Sequence, residues 1–141
     1  MLSFNKYVAL ILSSLLFAVM HLANDDINLT GFIGLFFAGL LLGLCYILTK
    51  NLWLSIALHF SWNFFQSIFG FNVSGFDSYS LVITSFQNDN DWNGGAFGFE
   101  GSLLSIPFQV VAIIYIFIKY KDRILVPNKI SDDERTLHGS D

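Results

Sequence analysis

Two histidines carry the chemical interest of this chain. His21 ends the run "SLLFAVMH", and His59 opens "HFSWN", which closes on Asn63. Both lie in apolar stretches, where an ionisable side chain is costly unless it faces a partner or a wet cavity, so each is a functional-site candidate. His138, far along a charged C-terminal stretch, is not. Ser55, His59, Asn63 and Gln66 follow one another at steps of four, four and three, which places them on one face of an α-helix. Ser14, Phe17 and His21 obey the same rule. Two such seams imply a shared interior. Imidazole nitrogens and a carboxamide oxygen suit a divalent transition metal such as zinc, which in catalytic sites keeps one position for water. Buried His, Asn, Ser and Gln equally serve as interhelical glue, each worth about 0.5 to 2 kcal/mol. Residue type and spacing leave both readings open.

The elements that must position these groups are four apolar segments: roughly Tyr7 to Ala23, Leu29 to Leu48, Leu52 to Phe71, and Ser102 to Ile118. Each is about 17 to 20 residues, the length an α-helix needs to cross the hydrocarbon core. Composition demands such a solvent. Of 141 residues, 54% are hydrophobic and 13% charged, with a mean hydropathy of +0.59, more apolar surface than a soluble domain of this size can hide. The predicted fold is all-α, a polytopic membrane bundle of about four transmembrane helices over residues 1–119. A charged tail, 120–141, lacks apolar periodicity and is expected to be disordered beyond its first turn. The first segment follows a lone Lys6, as a signal peptide would, but no small-residue cleavage site closes it and it runs into "HLANDD". The single Cys45, inside an apolar run, reads as a packing residue.

Tracing the helices up and down puts Lys6, Lys50, Lys119, Lys121, Arg123, Lys129 and Arg135 on one side. Asp25, Asp26, Asp77, Asp89, Asp91 and Glu100 fall on the other. The excess of basic residues inside predicts a multi-pass integral membrane protein with both termini in the cytoplasm. At about 1.5 Å per residue, His21 and Asn63 lie at nearly the same depth, each roughly 20 Å from its basic flank, and His59 about one and a half turns deeper. The three thus line one cavity nearer the acidic face. In the second segment, Gly39 and Gly43 of "GLLLG", with Gly34 and Ala38 at the same spacing, let another helix approach closely.

Several functions are excluded by absent motifs. HExxH, GxSxG, a Walker loop and a dinucleotide fingerprint are all missing, as is a paired Asp constellation inside the helices. Nucleic-acid binding has no support, because the basic residues are dispersed without aromatic interleaving. Attachment to anionic lipid explains the cluster of Lys119, Lys121 and Arg123.

The histidine motifs resemble a known family. "LLFAVMH", with Phe17 and His21, looks like the FxxxH motif, and "HFSWN", His59 to Asn63, looks like the HxxxN/D motif, of the CPBP family. These are the CAAX prenyl protease type II and bacteriocin-processing membrane enzymes, also called the Abi family. "GGAFGFEGSLLS" is similar to a GGAFGPEG stretch that precedes the last helix in many bacterial members, with Phe99 where proline is usual. The resemblance reaches to about Lys119. It implies a glutamate-dependent intramembrane metalloendopeptidase that processes CAAX-box or bacteriocin-like peptides at the membrane. By motif position His21, His59 and Asn63 are the metal and catalytic residues, and Phe17 shapes the cavity wall. The implied cofactor is a divalent metal, zinc by ligand type, and the implied partners are membrane lipid and a peptide or protein substrate.

One departure stands out. The family's EExxxR motif lies upstream of FxxxH, and these 141 residues contain no such motif. Asp25 and Asp26 read as solvated loop charges that cap or orient a helix end. Glu100 matches a glutamate that family members carry alongside EExxxR, and so is a poor replacement. The expectation is a set of ligands without a base, with little or no peptidase activity in the chain alone. A missing N-terminal half or another chain, docking through "GLLLG", would then supply the glutamate. The alternative is a non-catalytic membrane module, such as a bacteriocin self-immunity or partner-binding protein. A transporter half is weaker, because no second polar seam suggests a through-path.

Overall fold

The computed structural model describes residues 5–125; Lys129, Arg135, His138 and the rest of the expected tail lie outside the described residues. Four α-helices follow one another: α1 (Lys6–Met20), α2 (Leu29–Thr49), α3 (Trp53–Ile68) and α4 (Ser105–Leu125). A 3-10 turn, His21–Ala23, extends α1, and two more, Gly95–Phe97 and Phe99–Gly101, precede α4.

Local chemistry explains the boundaries. Asn5 Oδ1 accepts from Tyr7 N at 2.9 Å at the start of α1, and Asn28 Oδ1 accepts from Gly31 N at 2.7 Å at the start of α2. Each satisfies a backbone donor that the first helical turn leaves open. α2 ends at Lys50, whose left-handed backbone (φ 53°) turns the chain into α3. Pro107 sits in the first turn of α4, where its missing N–H costs no helical hydrogen bond. α4 continues past Lys119 to Leu125, with a kink at Tyr120 (φ −121°, ψ 17°).

α2 is the axle of the bundle, packing against α1, α3 and α4. Its glycines set the spacing. A Cβ on Gly39 would lie 2.7 Å from Ser14 Cα of α1, and one on Gly34 would lie 2.8 Å from the Glu100 carbonyl oxygen. Only helices without side chains at these points approach so closely. Ser14 is consequently buried against α2, its hydroxyl donating to Leu10 O within α1 at 2.7 Å. The polar seam expected to run down α1 is thus taken up by packing at Ser14.

The outward faces are apolar. Trp53, Ile56, Phe60 and Phe64 of α3 are exposed, as are Phe108, Val111, Tyr115 and Ile118 of α4, both sets at helical spacing. Apolar stripes of this extent need lipid around them. Two helical segments, Lys6–Ala23 and Leu29–Thr49, are each long and apolar enough to cross a membrane. The architecture is an all-α membrane helical bundle.

The polar, glycine-rich stretch after α3 folds back onto the bundle. Leu81 N and Val82 N both donate to Ile68 O at 3.1 Å, Asn72 Nδ2 donates to Ala96 O at 2.8 Å, and Gly75 N donates to Phe97 O at 2.9 Å. Phe97 is fully buried with Ala18 and Leu35, and Phe17, Ile27, Phe32 and Phe36 pack around them. Gly98 makes the turn possible. Its φ of 103° suits glycine, and a Cβ there would lie 1.9 Å from Asn72 O.

Candidate active site

The site begins at the end of α1. His21 caps that helix, and its Nδ1 lies 2.6 Å from Phe17 O, one turn back. A backbone carbonyl accepts from an N–H, so this contact assigns the proton to Nδ1 and leaves Nε2 with a free lone pair. The same pattern orients metal-bound and catalytic histidines.

Phe17 joins the two histidines. Its ring centroid lies 4.6 Å from that of His21 and 5.5 Å from that of His59, the latter edge-on. The structure therefore brings together His21 from α1 and His59 from α3, with the Phe17 ring beside both. His59 stands level with Phe17, about a turn below His21, in the direction expected from helix depths.

Asn63 lies one turn along α3 from His59. Its Oδ1 is buried and accepts no hydrogen bond. An orphaned carboxamide oxygen in a bundle interior is expensive, and a bound donor or cation would relieve it. Two imidazoles and this oxygen have the donor chemistry of a transition-metal site. Among the described residues, no group of three or more His, Cys, Asp or Glu is placed to hold a metal ion.

The rest of the expected α3 stripe divides by partner. Ser55 donates across to Leu42 O of α2 at 2.8 Å and acts as glue. Gln66, 5% exposed, binds Glu100 twice: its Oε1 accepts from Glu100 N at 3.1 Å, and its Nε2 donates to Glu100 Oε2 at 3.4 Å. Asp25 and Asp26 are exposed loop residues.

Glu100 is the residue that sequence reasoning set aside. It is only 6% exposed, and its Oε1 also accepts a short hydrogen bond from Ser74 Oγ. Together with Phe17, His59, Trp62 and Gln109 it lines a cavity of about 60 Å³ walled by α2 leucines. The available signal was the glycine pattern "GGAFGFEG", because successive left-handed turns at Gly94, Gly95 and Gly98 send the chain back inward. Residues 89–100 also have the D-x-D-x-N-G-x5-E spacing of a calcium loop. The fold instead turns the closing Glu100 into the bundle.

Beside the cavity lies an aromatic groove of about 410 Å³, sharing Leu58 and Trp62 with it and lined further by Phe65, Phe69, Phe71 and Phe99. Phe99 replaces the usual proline of the resembling stretch, and its ring lies 6.1 Å from Trp62 and 5.6 Å from Phe71.

No curated protein and no solved structure gives a significant match to the chain. Residues 1–65, which contain Phe17, His21, His59 and Asn63, match the family model described as type II CAAX prenyl endopeptidase Rce1-like. Through the segment that bears both histidines, the chain is similar to the type II CAAX prenyl endopeptidase family.

Proposed function

We propose that this protein is a multi-pass intramembrane endopeptidase whose working centre is the His21, His59 and Asn63 group, with both termini cytoplasmic. The carrying observation is the convergence of two imidazoles from α1 and α3 beside the Phe17 ring, inside the segment that matches the family. His21 Nε2, a His59 ring nitrogen and Asn63 Oδ1 would hold a divalent metal, zinc by donor type. When bound, such an ion polarises a carbonyl and acidifies water. Asn63, through its amide N–H, is suited to donate to the oxyanion that develops on the scissile carbonyl.

The aromatic groove supports a substrate with an isoprenoid chain, because it offers an apolar channel beside the cavity that His59 lines. The test is cleavage of a farnesylated peptide ending in a CAAX box by the purified full chain in phosphatidylcholine liposomes. Cleavage that disappears in His59→Ala with the fold retained supports the reading; its persistence in that variant refutes it.

A further inference from the structure

The two histidines are held differently. Nδ1 of His21 is tied to Phe17 O at 2.6 Å, whereas the His59 ring meets Phe17 edge-on and makes no hydrogen bond among the described residues. A neutral imidazole with neither nitrogen held can carry its proton on either one, and only one of these tautomers leaves the useful lone pair where the site needs it.

An unmet acceptor borders the same cavity as His59. Gln109 of α4 is 5% exposed, and its Oε1 is buried with no hydrogen-bond partner among the described residues. Its inward direction is set one turn earlier. Ser105, fully buried, donates from Oγ to Glu100 O at 3.1 Å and lies against the bare backbone of Gly34, where a Cβ would stand 3.6 Å from that hydroxyl. Residues four apart share a helix face, so Gln109 follows Ser105 into the bundle. Because the described residues themselves close off its oxygen, whatever donates to it sits inside the cavity. About 60 Å³ is too small for a peptide side chain of any size, but ample for water, which requires two to four polar partners. His59, Gln109 and the Glu100 carboxylate line that space and supply three.

We propose that a buried water couples Gln109 to His59 and makes Gln109 a positioning residue of the histidine site, a proposal that rests on the reading of His59 as part of the working centre. The water accepts the imidazole N–H and donates one hydrogen bond to Gln109 Oε1 and the other to the Glu100 carboxylate. The proton of His59 is thereby kept on one nitrogen and the lone pair on the other, as Phe17 O does for His21. No proton changes hands in this arrangement. α4 thus reaches the site through a residue outside the segment 1–65 that matches the family.

The experiment records the ring-nitrogen resonances of the full chain, labelled with nitrogen-15 in histidine, in detergent micelles at about pH 8, above the ordinary imidazole pKa. The signals are assigned with His21→Ala and His59→Ala. In the parent, His59 is expected to show one well-separated pair, protonated and unprotonated. In Gln109→Leu that pair should draw together as both tautomers become populated, while the pair from His21 stays put. Cleavage of the farnesylated CAAX-box peptide should fall by about tenfold or more, with the melting midpoint not lowered, because the lost oxygen has no protein partner. A His59 pair that Gln109→Leu leaves unchanged overturns the proposal, as does a parent in which the pair is already averaged, or unchanged cleavage. A lowered midpoint or loss of fold, in Gln109→Leu and again in Gln109→Met, would give the side chain a structural role and overturn it too. The spectra need no turnover. A parent that cleaves nothing but shows the expected change at His59 refutes the endopeptidase reading and leaves the link to Gln109 standing.

Discussion

Gln66 and Glu100 grip each other at two points, backbone N–H to carboxamide oxygen and carboxamide N–H to carboxylate oxygen, joining α3 to the turn before α4. Removing one partner leaves the other buried and unsatisfied. Gln66→Leu is therefore expected to destabilise the protein by about 2 to 4 kcal/mol, the cost of an unpaired amide plus a poorly held carboxylate. Denaturation in mild detergent measures this, and a loss below about 0.5 kcal/mol would mean that the pair is not closed in solution.

The close approach of α1 to α2 depends on Gly39. A leucine there would drive a side chain into the backbone of Ser14, so Gly39→Leu should cost at least about 1 to 3 kcal/mol through overpacking. The neighbouring Ser14→Ala keeps the volume small and removes a hydroxyl that bonds only within its own helix; it should be close to neutral. A lowered melting midpoint for the first and not the second would check the contact.

Phe97 plugs the folded-back loop into the bundle. Its burial beside Ala18 and Leu35 predicts a loss of about 3 to 5 kcal/mol for Phe97→Ala. The damage should extend to the contact between Glu100, three residues on, and Gln66. Limited proteolysis of residues 72–101 would report the loosened loop directly.

The metal reading makes its own demand. Purified protein loaded with zinc should retain about one equivalent by elemental analysis, and His21→Ala or His59→Ala should reduce it by at least about tenfold in affinity. Asn63→Ala should weaken binding less, because a carboxamide oxygen is the poorest donor of the three. Undiminished zinc in both histidine variants would remove the metal from the mechanism.

Helices were the most legible part of the sequence. Long apolar runs bounded by Asn5, Asn28, Lys50 and Asn51 specify α1, α2 and the start of α3 within a few residues, because hydrophobic length and capping are local properties. The meeting of His21 and His59 followed from helical spacing and depth. Ser55 and Ser14 were harder to read, since a hydroxyl on a polar stripe can point into a cavity or bond to a backbone, and only packing decides. The burial of Glu100 was not legible for a stronger reason. Its position depends on Phe97 burying itself and on Gly94, Gly95 and Gly98 reversing the chain, none of which has a helical or strand period to betray it.

The glycines of α2 do more than shorten distances. Gly39 and Gly43 face α1, while Gly31 and Gly34 face the incoming loop and the start of α4. These bare patches look in different directions and follow one another along one rod, so the rod has a single azimuth at which both neighbours fit. Leu35 and Ala38 then have no choice of where to point: they become wall for the His59 cavity. The chemistry on α1 and α3 is thus indexed by a helix that contributes no reactive atom, as a keyway sets the angle of a shaft.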